Sequence, residues 1–391
     1  MVSLLKKITM KQLNNVTMLK LDMYFIVFLL LLLTLYFIDK KKISLPFKYS
    51  LIIGLLIRLS ITLIFYKSSS EDLTSFLDAG KVILEKQSAY PTLYFPFFPY
   101  LGALAVFLKS FFPPLIFLKL VFTFFDLGNL ILVYFLSKKN LNLALLYTLN
   151  PITIISSNIH GQFDVIPLFF LLLAIYLFNK HKEISSMTAI SFAIFTKTWP
   201  ALFIIPILKK LKNKFLVAFI IVIPLISVLF HSLFFETPIL EIISPIKNYR
   251  GVYGYWGIGN ILILLWPKID GSILQILRRI FFIALFIFSF YPNNKNIVKN
   301  ILIIILFFFI FTLTFGSQWL TWLVPFVILV RPKNWIFFFV TATIYLISAF
   351  TKNVYLLPAN IIAIFNVSET VFGFSAWLFI ISIFYEQRNN K

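Results

Sequence analysis

Cysteine is missing from this chain, which removes disulfides, thiol nucleophiles, iron–sulfur ligation and cysteine-based zinc sites together. Histidine is almost missing too: His160, His181 and His231 are far apart in sequence and form no ligand cluster. Acids are few, 14 Asp and Glu against 35 Lys and Arg, which leaves a formal net charge of +21. A glycine-rich phosphate loop, a His-Glu-x-x-His helix and a Gly-x-Ser-x-Gly elbow are also absent, so the common signatures of soluble enzymes do not apply.

What is present is mostly hydrocarbon. Of 391 residues 60% are hydrophobic, 49 are Phe, and the mean hydropathy of +0.95 lies beyond soluble folds. An all-α polytopic integral membrane protein is therefore expected, one transmembrane domain over 1–391 with about 11–13 spanning or half-spanning helices. Apolar segments fall near 22–38, 49–66, 96–112, 114–137, 141–157, 162–179, 184–208, 215–235, 272–291, 298–315, 319–331, 333–350 and 363–385. Residues 1–20 lack a cleavable apolar core, so the first run reads as an uncleaved anchor. The lysines sit in short islands such as Lys40, Lys41 and Lys42 or Lys209, Lys210, Lys212 and Lys214, which places those islands on the cytoplasmic side. No basic face with interleaved polar residues exists, so nucleic acid is not an expected partner. Richness in Lys, Ile, Asn and Phe suggests an AT-rich prokaryotic genome and hence the cell membrane.

Two stretches break the apolar pattern, 67–95 and 236–260, and both are expected to be functional loops on the outer face. The first mixes Leu73, Phe76, Leu77, Val82, Ile83 and Leu84 with charges, as a helix lying along a membrane surface would. Segment 184–208 carries Lys197 and Pro200 in its middle and reads as two half-helices meeting at a polar turn. Loop charges balance only if one of 96–112 or 141–157 is re-entrant, or if Lys138 and Lys139 face outward.

Polar residues at membrane depth are functional candidates by default. Arg58, Lys119 and Asp126 read first as an interhelical ion pair, and Lys119 and Asp126 share one helical face. Asp164 suits either a helix cap or a substrate contact. His160 alone reads as an interfacial histidine, and Asp72 suits a helix start near Leu73 as well as it suits chemistry.

Four fragments in order, Ser70 to Tyr100, Leu149 to Phe178, Phe195 to Pro206 and Gly316 to Leu329, together resemble GT-C glycosyltransferases, integral-membrane enzymes that use polyprenyl-phosphate sugars. SEDLTSFLDAGKVILEKQSAYPTLYFPFFPY (Ser70 to Tyr100) is similar to their first outer loop. LNPITIISSNIHGQFDVIPLFFLLLAIYLF (Leu149 to Phe178), FTKTWPALFIIP (Phe195 to Pro206) and GSQWLTWLVPFVIL (Gly316 to Leu329) are similar to the Asn-Pro, Gly-Gln-x-Asp, Lys-x-x-Pro and Gln-aromatic-x-x-Trp-x-x-Pro stretches of mannosyltransferase-like members. The likeness covers about two-thirds of the chain. Departures are visible: Tyr94-Phe-Pro96-Phe-Phe-Pro99 stands where the family has Tyr-Pro-Pro, and Tyr90 precedes Pro91. Adjacent Glu71 and Asp72 replace Asp-x-Asp, which leaves the need for a divalent metal open; no resident cofactor or metal ligand is expected.

The resemblance implies transfer of a sugar, mannose first among candidates, from a polyprenyl-phosphate carrier to a hydroxyl of a glycan, lipid or protein acceptor on the non-cytoplasmic face. Asp72 matches the family's loop acid and is the implied general base. Arg250, Lys247 and Lys197 are the implied phosphate-binding cations. Tyr90, His160, Gln162, Asp164 and Gln318 are the implied substrate contacts. Two other classes stay open: a transporter or lipid-linked glycan flippase, and a non-catalytic subunit of a glycan-assembly complex.

Overall fold

The computed structural model describes residues 26–90, 92–248, 251–254, 256–354 and 359–389. The protein is helical almost throughout, with one two-residue strand pair among the described residues. Five helical stretches there are long and apolar enough to cross a membrane: Phe47–Ile64, Pro114–Leu136, Lys214–Phe235, Gly271–Ser289 and Ala359–Asn389. Six shorter apolar ones accompany them. Their apolar outer faces are compatible with integral membrane localisation.

In chain order, residues 26–41 form α1, followed by α2 (Phe47–Ile64), α3 (Glu71–Leu84), α4 (Phe97–Phe107), α5 (Pro114–Leu136), α6 (Leu141–Thr148) and α7 (Pro151–Ile154). Next come α8 (Val165–Asn179), α9 (Glu183–Thr196), α10 (Ile205–Lys210), α11 (Val222–Phe235), α12 (Ile239–Asn248), β1 (Val252–Tyr253), α13 (Gly257–Leu265) and α14 (Gly271–Ser289). The chain closes with α15 (Ile297–Phe311), β2 (Thr314–Phe315), α16 (Leu323–Val330), α17 (Trp335–Val354) and α18 (Ala359–Asn389).

Several of the expected spans are too short to cross, α4, α6 and α16 among them. With 11 residues in α4 and 8 in α6, these helices are about 17 and 12 Å long, against a hydrocarbon layer of about 30 Å. Asn150 and Pro151 stop α6: the Asn150 side chain accepts from the Ile152 N–H at 3.0 Å, and proline has no N–H to continue the ladder. Segment 184–208 breaks at Lys197 as its polar residues predict, with Lys197 extended between α9 and a short 3₁₀ turn over Trp199–Leu202.

Two large apolar cores result among the described residues. The larger surrounds α15, which is buried on nearly every side, and takes in Trp199, Phe203, Trp319 and Trp322. The smaller lies beneath α3 and joins Leu73, Phe76, Tyr94, Phe98, Phe122 and Phe163. The apolar face of α3 is thus spent on α4 and α5 rather than laid on a membrane surface. Gly80 and Gly102 let the α3 and α4 backbones touch, since a Cβ on Gly80 would lie 2.2 Å from the Gly102 carbonyl carbon.

The second polar stretch folds back on the body. Val252 pairs with Phe315 and Tyr253 with Thr314 in antiparallel register, a strand pair that the apolar pattern did not announce.

Candidate active site at the seam between two cores

Where the two cores meet, the chain places its polar residues. Ser70 caps α3, its Oγ accepting from the Leu73 N–H at 3.3 Å and donating to the Gly161 carbonyl at 3.2 Å. Asp72 is therefore not the cap. It sits half-buried in the first turn, and its Oδ1 accepts from the Tyr94 hydroxyl at 3.0 Å. Tyr94 is held in turn by Tyr90, whose hydroxyl donates to the Tyr94 carbonyl. Burial pushes the Tyr90 hydroxyl well above the ordinary tyrosine range, so it remains a donor. Tyr90 also meets the His231 ring edge-on, with centroids 5.0 Å apart.

Across the Tyr94 ring lies a buried ion pair. Lys197 Nζ reaches Asp164 Oδ1 and Oδ2 at 3.1 and 3.0 Å. The same ammonium stands 4.4 Å from the Phe163 ring centre and 5.7 Å from that of Tyr94. Trp322 Nε1 donates to Asp164 Oδ1 at 2.6 Å. The Asp164 carboxylate is committed to these partners and makes no cap bond to α8. Asp72 and Asp164 lie near enough to feel each other's charge.

Gly161 allows this arrangement. Its φ of +75° is a left-handed conformation, and a Cβ there would lie 2.1 Å from Leu73 Cδ1. The turn before Asp164 can therefore press directly on the first turn of α3.

Lys197 also borders a cavity of about 340 Å³. Its walls include Trp199, Trp319, Trp322, Phe308 and Arg278. Trp199 and Trp322 stack at 4.2 Å, and Trp322 and Trp319 at 5.1 Å. The indole N–H groups of Trp199 and Trp319 are buried without a hydrogen-bond partner, as are Thr321 Oγ1 and Gln162 Oε1. Buried donors left unmatched are costly, about 1–3 kcal/mol each, and fit a cavity that receives a polar guest.

Not every residue named from the sequence converges here. His160 stacks on Phe350 at 3.8 Å, beside Lys119 rather than Lys197. Gln318 is half-buried on the 3₁₀ turn next to Trp319. Lys247 is exposed near the end of α12, and no contact described joins it to Lys197 or Asp72. Arg250 lies outside the described residues; it precedes Gly251, which borders the cavity. Among the described residues no group of three or more His, Asp or Glu could hold a metal ion.

The expected triple of Arg58, Lys119 and Asp126 divides. Arg58 Nε meets Asp126 Oδ2 at 2.7 Å, whereas Lys119 donates to the Phe65 and Ile159 carbonyls at 2.8 and 2.9 Å. Lys119 thus satisfies the loose ends of two helical segments.

Three residues escaped the sequence reading. Tyr94 and Trp322 stand in the sequence only as parts of motifs, and Arg278 has no motif at all, because it sits inside the apolar run of α14. An arginine in the middle of that run was the available signal. Comparison of the chain with protein-family models, curated proteins and solved structures gives no match.

Proposed function

We propose that this chain is a membrane glycosyltransferase of GT-C type, moving a sugar, mannose first among candidates, from a polyprenyl-phosphate carrier to an acceptor hydroxyl on the outer face of the cell membrane. One arrangement carries the proposal: a half-buried carboxylate, Asp72, separated by a single tyrosine ring from a lysine that borders an indole-walled cavity with Arg278.

In this reaction the acceptor oxygen attacks the anomeric carbon and its proton passes to Asp72. The bond from that carbon to the phosphate oxygen breaks, and its electron pair leaves with the polyprenyl phosphate. Charge grows on the phosphate as the bond lengthens, and Lys197 and Arg278 oppose it more strongly then than before. Stacked indoles suit the apolar face of a sugar ring, while the N–H groups of Trp199 and Trp319 suit its hydroxyls. Tyr94 fixes the direction of the base, and Tyr90 fixes Tyr94.

The test is Asp72→Asn, assayed in proteoliposomes with a labelled polyprenyl-phosphate mannose. Transfer is expected to fall by about 10²–10⁴ while thermal unfolding and donor binding persist. Unchanged turnover would remove Asp72 as the base. A carrier is favoured by the broken helices at Asn150–Pro151 and Lys197, and it predicts movement of lipid-linked glycan that survives Asp72→Asn.

A further inference from the structure

A second cavity, of about 550 Å³, lies where the turn between α14 and α15 meets the end of α18. The 15 residues of α15, about 22 Å of helix, separate that turn from Thr314 and the indole-walled cavity. Its walls are formed by Tyr291, Asn293, Asn294, Lys295, Gln387 and Arg388 among others, and no carboxylate among the described residues lines it.

The turn is fixed by its own bonds. Asn300, almost fully buried, accepts from the Asn294 N–H and donates to the Asn294 carbonyl, both at 2.9 Å. Lys209 donates to the Phe290 and Pro292 carbonyls at 2.7 and 3.4 Å, and Lys210 to those of Asn294 and Lys295 at 3.1 and 2.8 Å. Those two ammonium groups are spent on backbone dipoles, which leaves Lys295 and Arg388 as the cations facing the cavity. Arg388 stands 5.8 Å from the Tyr291 ring centre. The neighbouring acid, Glu386, is occupied by the Lys333 N–H at 2.9 Å.

We propose that this cavity binds a phosphate group, presented as the headgroup of an anionic phospholipid. Two cations and three primary amides around an acid-free cavity match a phosphate's charge and acceptor oxygens. Basic cavities between helix ends on the lysine-rich side of a membrane protein meet anionic lipid there. The final turns of α14 leave Ile283, Phe286, Ile287 and Phe290 exposed beside the turn, a track for acyl chains that free phosphate would not need. The site is independent of the transferase proposal.

The experiment uses full-length protein in neutral detergent, titrated with short-chain phosphatidylglycerol, phosphatidylcholine or inorganic phosphate, read by melting temperature and by native mass spectrometry. Phosphatidylglycerol is expected to raise the melting temperature saturably while the other two do not. Lys295→Gln and Arg388→Gln should each weaken its apparent affinity about five-fold, and the double variant about thirty-fold. Lys40→Gln with Lys41→Gln removes equal charge from the same face, to which the Asp39–Arg331 contact ties it, and should leave affinity unchanged. An equal response to inorganic phosphate overturns the lipid assignment. A phosphatidylglycerol affinity unchanged in both single variants, or a response that phosphatidylcholine reproduces, overturns the site.

Discussion

Two ion pairs are buried among the described residues, and they differ in everything but charge. Arg58 and Asp126 join α2 to α5, both uninterrupted helices, and each is fully buried. Arg58 also donates to the Gly54 and Thr148 carbonyls at 3.2 and 3.0 Å, and the Tyr147 hydroxyl closes Asp126 Oδ1 at 2.6 Å. Lys197 and Asp164 stand instead at helix breaks, beside a cavity whose indole donors are unmatched. A pair whose donor nitrogens all find partners fixes packing. A pair bordered by unspent donors and open volume has capacity left for a guest.

Several substitutions sharpen that contrast, and the largest effect belongs to the sealed pair. Asp126→Leu strands a buried guanidinium and should cost about 3–5 kcal/mol of stability, read as a fall in melting temperature. Adding Arg58→Met should return most of the loss, because apolar residues of similar volume replace a desolvated pair well. At the open pair, Lys197→Met with Asp164→Leu should change stability by no more than about 2 kcal/mol yet abolish sugar transfer; transfer surviving in a folded double variant would erase the distinction. Gly161→Ala should cost about 1–3 kcal/mol, since both its φ and the Leu73 contact resist a methyl group, and transfer should fall with it as the first turn of α3 shifts. Smallest is Lys81→Gln, which removes an exposed partner of Asp78 at 2.8 Å and should alter neither melting temperature nor transfer.

Local rules carried much of the fold. Ser-Glu-Asp before an amphipathic run placed the start of α3, with the cap falling on Ser70 rather than Asp72. Lys197 beside Pro200 marked the break after α9, while the Asn150–Pro151 step ends α6 inside the segment expected over 141–157. The apolar residues of α3 marked a buried face but not what buries it, because a membrane surface and a neighbouring helix ask for the same pattern. The site was half visible: Asp72, Asp164 and Lys197 were each named, but the partnership across 33 residues is a tertiary fact that no local spacing encodes. Aromatics hid in plain composition. In a chain with 49 Phe, 17 Tyr and 7 Trp, nothing local distinguishes Tyr94 or Trp322 from lipid-facing rings. Arg250 and Tyr255 lie outside the described residues.

The glycine contact between α3 and α4 limits how this protein can open. With a Cβ on Gly102 placed only 1.8 Å from the Phe76 carbonyl oxygen, the two backbones are as near as atoms permit. Helices that close cannot slide or part without losing the fit, so the acid-bearing helix is an anvil, not a hinged cover. Whatever approaches Asp72 must come past some other edge, while the strand pair of Val252 with Phe315 and Tyr253 with Thr314 holds Gly251 at the border of the indole-walled cavity.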